Sequence, residues 1–330
     1  MAKKRPKARD RPRKRAVDRA MGANRKEKAW IRSLWARAAV DYGTRFADDL
    51  LYLSLCGGDA RDLELLVQRR VIELTETGAI APTSAHRVAA VECDLTAVGA
   101  LLRKFLGLKV YDRPFQSLVR GESQIRYPDG NDAEFCRARI INLDLNAPLQ
   151  SVEGDEITFP ILVWIEKLGD MHRHRPRKDW CLCLTLHGEI HWKSDTCSMV
   201  QDFLAENFRS SEMFANTSEA LLGEVLYEWI CADVRLNFST LSRDDQQKIL
   251  MIFVPKKILQ MTQSQGWKIS TATNCRYGRR GHAPMVSWII HFQHDRRATT
   301  TPRALYVEDL DEILAGAGRV NSRGEVVSEF

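Results

Sequence analysis

The amino-acid sequence predicts an α/β protein built on a mostly parallel sheet that ends in an antiparallel hairpin. The chain has 330 residues, of which 44% are hydrophobic, and can bury one large core or two modest ones. Between positions 51 and 115, short apolar runs alternate with helical patterns, which is typical of βαβ units and a parallel sheet. Two apolar runs near the C-terminus, joined by a loop of about ten residues, predict the hairpin.

The first βαβ unit begins with an apolar run at positions 51–55 that ends in Cys56, Gly57 and Gly58. Apolar residues then recur on one face of a helix, at positions 63, 66, 67, 71 and 74. A glycine turn between a strand and a helix lets the backbone approach a ligand closely, and the helix N-terminus supplies unpaired N–H groups. The pattern predicts a ligand-binding turn, with a simple structural turn as the alternative.

The second strand, at positions 87–94, carries Glu92 near its end. A further helix should begin at a cap formed by Ser242 and Asp245 and be kinked by Pro255. The other predicted helices are at 95–106, 159–168 and 217–238, with an acidic helix at 306–314. The other predicted strands are at 108–115, 139–145 and 179–186, followed by the hairpin strands at 267–274 and 284–293. Five parallel strands and two hairpin strands predict a seven-stranded sheet.

The charge distribution divides the chain. The net charge is +6, but residues 1–28 carry 13 Lys/Arg against three acids, whereas the rest of the chain has 36 basic and 40 acidic residues. Residues 1–28 contain almost no apolar residues, so we expect a disordered basic arm. We divide the remainder into an N-terminal helix at 29–48, the sheet domain at 49–302, and a short helix and tail at 303–330.

The basic arm predicts contact with nucleic acid, with RNA favoured over DNA. Its charged blocks attract a phosphate backbone through counterion release, and the residues concerned are Lys3, Lys4, Arg5, Arg13, Lys14 and Arg15. Two other interpretations remain open, a solubilising tail and a segment that orders on a protein partner.

The composition also bears on the cellular compartment of the protein and on whether it binds a metal ion. No apolar run approaches the roughly 20 residues that span a bilayer, and the basic N-terminus lacks the apolar core of a secretory signal, so we expect a cytoplasmic protein that does not bind membranes. The eight cysteines are scattered without a Cys-x-x-Cys pair, which predicts reduced, buried thiols. His187 and His191 have the spacing of a helical metal pair, but Gly188 lies between them and a third ligand is missing, so we predict no metal site.

Three motifs carry a resemblance to a known family. They are Leu-Ser-Leu-Cys-Gly-Gly-Asp-Ala at positions 53–60, Val91-Glu92, and Asn-Leu-Asp-Leu-Asn-Ala-Pro at 142–148. In order and spacing, residues 49–295 resemble a divergent member of the class I S-adenosylmethionine-dependent methyltransferases. The resemblance implies a doubly wound sheet of seven strands and S-adenosylmethionine as the cofactor.

The resemblance assigns the cofactor-binding residues to Cys56, Gly57, Gly58, Asp59, Glu92, Gln116 and Ser117. Glu92 would accept both ribose hydroxyls, as acids at this position do in dinucleotide-binding folds, and a surface glutamate is the alternative. The family contacts adenine with an acid after the third strand, and by spacing this position falls at Gln116 or Ser117. The first motif departs from the family pattern, since Ser54 replaces an acid and Cys56 and Ala60 replace glycines.

The resemblance places the chemistry at the end of the fourth strand, on Asp144, Asn146 and Pro148. Methyl transfer requires an acceptor that is aligned and often relieved of a proton, so polar acceptors beside the transferable methyl group are the expected catalytic residues. Pro148 would stiffen the turn. The segment resembles a degraded Asn/Asp-Pro-Pro-aromatic motif of amino-methylating enzymes, and an Asx turn is the alternative interpretation.

Two further clusters are candidate contacts. The tip of the closing hairpin offers Arg276, Tyr277, Arg279 and Arg280 for phosphates and base stacking, or is a solvated loop. The basic cluster at 172–178 precedes the fifth strand, so we expect it at the opposite sheet edge as a remote phosphate contact or a solvated loop. His187 or Glu189 would line the substrate side and is a candidate proton shuttle.

These observations lead to two hypotheses. The first is a cofactor-dependent methyltransferase that acts on nucleic acid and is steered by the basic arm and the tip of the hairpin. The second is a catalytically degenerate, methyltransferase-like module that binds nucleic acid within a larger protein complex. Ser54, Cys56, Ala60 and Ala147 favour the second, whereas Glu92, Asp144 and Asn146 favour the first.

Overall fold

The computed structural model describes residues 25–46, 50–120, 138–145, 147–149, 151–153, 156–173, 179–188, 194–232, 235–278, 284–294, 317–321 and 325–328. Its strands are β1 (Tyr52–Ser54), β2 (Val88–Val91), β3 (Lys109–Tyr111), β4 (Ile140–Asp144), β5 (Ser151–Glu153), β6 (Glu156–Thr158), β7 (Trp180–His187), β8 (Trp267–Tyr277), β9 (Met285–His294), β10 (Gly318–Val320) and β11 (Val326–Ser328). Its helices are α1 (Arg25–Arg45), α2 (Arg61–Gln68), α3 (Leu95–Lys104), α4 (Phe115–Arg120), α5 (Pro160–Arg173), α6 (Ser194–Ser210), α7 (Glu212–Leu222), α8 (Glu224–Cys231) and α9 (Arg243–Gln263).

The main sheet confirms the predicted α/β class with a mostly parallel core and antiparallel strands near the C-terminus. Its order is β11-β10-β8-β9-β7-β4-β1-β2-β3. β3, β2, β1, β4 and β7 are mutually parallel, whereas β9 is antiparallel to both β7 and β8. The chain winds outward from β1 in both directions, to β2 and β3 on one side and to β4 and β7 on the other. The strand order therefore reverses between β1 and β4, and this point opens a crevice at the carboxyl edge.

The prediction of seven strands is wrong, because the described sheet has nine. β10 pairs with β8 in parallel and β11 pairs with β10 in antiparallel, and both come from the predicted tail. Each has only three residues. Periodicity is a weak signal over so few residues, so the sequence pattern did not reveal them. The predicted acidic helix at 306–314 lies outside the described residues.

Side chains alternate between the two faces of the sheet, and each face is covered by helices. One face packs on α1, α2 and α3, where Trp35 of α1 and Leu63 of α2 join Tyr52 and Ile140 in one buried cluster. The opposite face packs on α4, α5, α6 and α9 in a second, larger cluster that includes Leu53. Both faces of β1, β2, β4 and β7 are buried, which explains the nearly continuous apolar runs in their sequence.

Several boundaries differ from the predicted ones for identifiable reasons. The N-terminal helix begins at Arg25, so the last four residues of the predicted arm belong to α1. The helix predicted at 217–238 is divided into α7 and α8, because Gly223 has a φ of 85° and interrupts the helical path. Ser242 accepts a hydrogen bond from the backbone N–H of Asp245 (3.1 Å), which confirms the predicted cap. α9 runs from this cap through Pro255 to Gln263.

No helix in the described part of the chain has the length and apolar composition needed to cross a membrane.

Candidate cofactor and nucleic-acid site

The candidate site lies where β1, β2 and β4 end side by side. Ser54 is in register with Ala90 of β2 and with Asn142 of β4. Beyond the strand, the N–H of Leu55 donates to the carbonyl of Asn142 (3.0 Å), so the chain follows β4 for one more residue before it turns. The shared register brings the glycine turn, Glu92 and Asp144 to one edge of the sheet.

The glycine turn and Glu92 face one another. Gly57 has a φ of 56°, and a Cβ atom built on it would lie 4.0 Å from Oε2 of Glu92. A Cβ atom on Gly58 would lie 3.4 Å from the Cα of Ala97, so α3 packs against the turn. Ala60 also has a left-handed φ of 47°, which an alanine adopts less readily than the glycine that the family carries there.

Glu92 is held in place by local hydrogen bonds. Its N–H donates to the carbonyl of Tyr111 (3.0 Å), and its Oε1 accepts from the N–H of Asp94 (2.9 Å). Asp94 in turn caps α3 by accepting from the N–H of Thr96 (2.7 Å). The other carboxylate oxygen, Oε2, accepts no hydrogen bond within the described residues, so it faces the glycine turn ready to accept one from a ligand.

Asp144 ends β4 and contacts the N-terminal helix. Its Oδ2 lies 2.9 Å from Nζ of Lys28 and 4.0 Å from a guanidinium nitrogen of Arg32. Its Oδ1 is buried and has no hydrogen-bond partner among the described residues. Asn146 lies outside the described residues, and Pro148 is half-buried just beyond it. The first turns of α1 therefore lie directly over the strand end to which the resemblance assigns the chemistry.

A buried polar cluster joins the tips of β1 and β4, and sequence reasoning did not identify its centre, Asp62. Oδ2 of Asp62 accepts from the hydroxyl of Ser54, from Nδ2 of Asn142 (3.1 Å) and from the hydroxyl of Tyr52 (3.4 Å). Asp62 is only 4% exposed, and burial raises its pKa above the ordinary carboxyl value. Burial likewise raises the pKa of the Cys56 thiol, which favours its protonated form.

The predicted adenine contacts, Gln116 and Ser117, do not directly follow the third strand. β3 ends at Tyr111 and not at position 115, so Gln116 and Ser117 belong to the first turn of α4. The residue that directly follows β3 is Asp112, which is exposed. Pro114 was the signal in the sequence that the strand ends before position 115, because proline is rare inside the strands of a sheet. An acid after the third strand, the type of residue that the family uses, is therefore present.

The prediction that Arg276 and Tyr277 contact nucleic acid from an exposed hairpin tip is wrong. Both lie in β8 and are buried, at 4% and 2% exposure. The guanidinium of Arg276 forms an ion pair with Asp244 of α9, and burial raises the pKa of Tyr277 well above its ordinary value. The ion pair compensates the buried charge and allows the strand to continue through a polar sequence. Arg279 and Arg280 lie outside the described residues, as do all six predicted contacts in residues 1–15.

Among the described residues, no group of three or more His, Cys, Asp or Glu side chains is placed to hold a metal ion. Comparison with protein-family models, with curated proteins and with solved structures finds no match for this chain.

Proposed function

We propose that this protein is an S-adenosylmethionine-dependent methyltransferase that acts on nucleic acid, with RNA favoured over DNA. The observation that carries the proposal is the position of α1. The basic residues 1–24 precede this helix in the sequence, and Lys28 in its first turn contacts Asp144 at the edge where Gly57 faces Glu92. Any nucleic acid that the arm binds is thereby attached next to the candidate cofactor turn.

Three features of this edge support a nucleoside cofactor. The strand order reverses between β1 and β4, and ligands of open α/β sheets bind at such points outside the carboxyl ends of the strands. Oε2 of Glu92 accepts no hydrogen bond from the part of the chain that the structure describes, and a ribose hydroxyl requires such an acceptor. Leu95 begins α3 three residues after Glu92 and is 74% exposed, which offers an apolar surface to a purine.

The carboxyl end of β4 and the first two turns of α1 carry charged side chains that could serve the methyl-transfer step. In methyl transfer, a nitrogen or oxygen of the substrate forms a bond to the methyl carbon, the sulfonium C–S bond breaks, and the acceptor loses its proton. We assign that proton to the carboxylate of Asp144, whose Oδ2 is held by Lys28 and whose Oδ1 is buried without a partner in the described structure. Lys28 and Arg32 supply positive charge for the phosphates that flank the substrate atom.

Titration of the purified full-length chain with S-adenosylmethionine by calorimetry tests the cofactor, and transfer of a labelled methyl group to RNA and to DNA tests the substrate. We expect saturable binding and transfer to RNA in preference to DNA. Absence of binding under conditions where the protein is folded would contradict the proposal.

Replacement of Glu92 by alanine tests the ribose contact. The loss of charge-assisted hydrogen bonds is expected to weaken S-adenosylmethionine binding by about 1–3 kcal/mol, or roughly 5–150-fold in Kd. Glu76→Ala is the matched control, because Glu76 is an exposed acid in the turn between α2 and β2. An unchanged Kd in Glu92→Ala would remove Glu92 from the site.

The degenerate binding module is the second candidate, and one observation favours it. The carboxylate of Asp144 is already paired with Lys28 of the same chain, as expected of a residue that no longer performs chemistry. In that case the protein would bind RNA with a strong salt dependence but give no heat with S-adenosylmethionine.

A further inference from the structure

Helix α3 is apolar on the side that faces away from its own fold. Its inner side packs on the glycine turn through Ala97 and Ala100, and Leu101 beside them is fully buried. The residues on the opposite side recur at spacings of three and four, and they are Leu95, Val98, Gly99 and Leu102. Together with Leu106, which lies just beyond the end of α3, we call these residues the outer face of α3.

The large side chains of this outer face are exposed. Leu95 is 74% exposed, Leu102 is 41% exposed and Leu106 is 62% exposed. A helix that packs on a core through one side normally carries polar residues on the other. An apolar outer side therefore marks a surface that another molecule covers.

Gly99 lies in the middle of the outer face, and the described fold does not require a glycine there. Glycine is less favourable than alanine inside a helix. Among the described residues, a Cβ atom on Gly99 would meet only the guanidinium of Arg103 at 3.4 Å, which is an ordinary contact with the end of a flexible side chain. The chain thus leaves room for a methyl group that it does not carry, and a bare backbone at this position suits the close approach of a second helix.

The charges at the two ends of α3 indicate which helix approaches. Glu92 and Asp94 lie at its N-terminal end, whereas Arg103 and Lys104 lie in its last turn. Gly99 is midway along the sequence between Asp94 and Lys104. If two copies of α3 cross in antiparallel orientation at Gly99, the acidic end of each copy meets the basic end of the other. The surface is therefore complementary to itself in charge as well as in its apolar centre.

We infer that the outer face of α3 binds the same face of a second copy of this chain, with the two helices antiparallel and crossing at Gly99. The chain enters β3 after α3, and β3 is the last strand of the described sheet, so the second copy approaches at the end of the sheet. The contact is short, because α3 has ten residues and is about 15 Å long. We therefore expect a dissociable dimer with a Kd on the order of 10 µM. This inference does not depend on the proposed function.

Sedimentation velocity of the full-length protein, at concentrations from about 1 to 100 µM, tests the inference. We expect the wild-type chain to pass from monomer to dimer over this range. Leu102→Glu should raise the Kd of the dimer by about tenfold or more, because it places a charge in the apolar centre of the contact. Leu95 is left unchanged, because it also borders Glu92.

Trp229→Glu is the matched control. Trp229 and Val225 are also exposed apolar residues on a helix, α8, at 50% and 60% exposure. They are bordered by Glu224 and Glu228, so two copies of α8 would bring like charges together. The Trp229→Glu variant should therefore dimerise as the wild type does.

Gly99→Gln separates association from folding. Glutamine is the better helix former, so the thermal stability of the monomer, measured by circular dichroism at low concentration, should be kept or raised. The dimer should nevertheless weaken by about tenfold or more, because the added side chain separates the two helices. A merely local role of Gly99 would not change the Kd.

Four results would overturn the inference. A wild-type chain that stays monomeric up to about 100 µM would mean that a partner other than a second copy covers this face. A dimer that Leu102→Glu leaves intact would lie elsewhere on the molecule, and one that Trp229→Glu disrupts instead would lie on α8. A Gly99→Gln dimer as tight as the wild type would exclude the crossing at Gly99, and this variant decides the matter if Leu102→Glu does not fold.

Discussion

We expect Asp144→Asn to lower the rate of methyl transfer by about 10²–10⁴-fold while S-adenosylmethionine still binds. The substitution keeps the size of the side chain at the end of β4 but removes the carboxylate that would accept the substrate proton. The side chain of Asp144 is 12% exposed, with Oδ2 held by Lys28 and Oδ1 buried without a hydrogen-bond partner in the described residues. Single-turnover methylation of RNA at saturating cofactor measures this effect separately from binding.

Asp179→Asn is the matched control for this measurement. Asp179 is also an aspartate at a strand end that pairs with a cation of α1, since its Oδ2 lies 2.8 Å from Arg45. It precedes β7 at the opposite edge of the sheet, so its replacement should leave the rate unchanged. A rate within about twofold of wild type for Asp144→Asn would exclude Asp144 as the base and favour the degenerate module.

Deletion of residues 1–24 is expected to have the second large effect, on the affinity for RNA and on its salt dependence. These residues carry ten Lys/Arg against two acids. Each phosphate contact contributes about −0.7 to the slope of log K against log salt for a single strand, so the slope should become less negative by several units, at most about 7. At low salt, we expect the affinity for RNA to fall by about 10³-fold or more, with cofactor binding unchanged. Fluorescence anisotropy over a series of salt concentrations measures both quantities.

The structure sets the end point of this deletion. α1 begins at Arg25, and removal of Lys28 would separate Asp144 from its nearest cation, so the truncated chain should begin at residue 25. The control replaces Arg173, Arg175, Arg177 and Lys178, the basic cluster before β7, with alanine. If the slope of log K against log salt is unaltered in the truncated protein but changes in the control, the nucleic-acid contact lies in that cluster and not in residues 1–24.

The sequence revealed the parts of the fold that depend on local pattern. β1, β2, β4 and β7 were predictable because both faces of a central parallel strand are buried, which produces short apolar runs between turn signals. The start of α9 was predictable because Ser242 and Asp245 interact within one turn. Gly223 was harder to interpret, since a glycine inside an apolar helical stripe either remains helical or adopts a positive φ, as it does here.

The parts that were missed depend on partners far away in the sequence. Arg276 was predicted to be exposed, but Asp244 pairs with it from 32 residues away and allows it to be buried in β8. Asp62 resembles an ordinary acid of a first helical turn, and only its contact with Asn142, 80 residues away, shows that it is buried. Lys28 resembles one more cation of a basic run until α1 is placed against β4. Pairings of this kind leave no local pattern.

α1 crosses the sheet from one edge to the other and is fixed at both ends, by Lys28 to Asp144 and by Arg45 to Asp179. The N-terminal end of α1, to which residues 1–24 are attached, is therefore held in place. A chain of that length reaches at most about 80 Å, which corresponds to about 24 base pairs of duplex. This reach limits the distance between the stretch of nucleic acid that the arm binds and a position that can enter the candidate site. A position farther away would require a separate binding event.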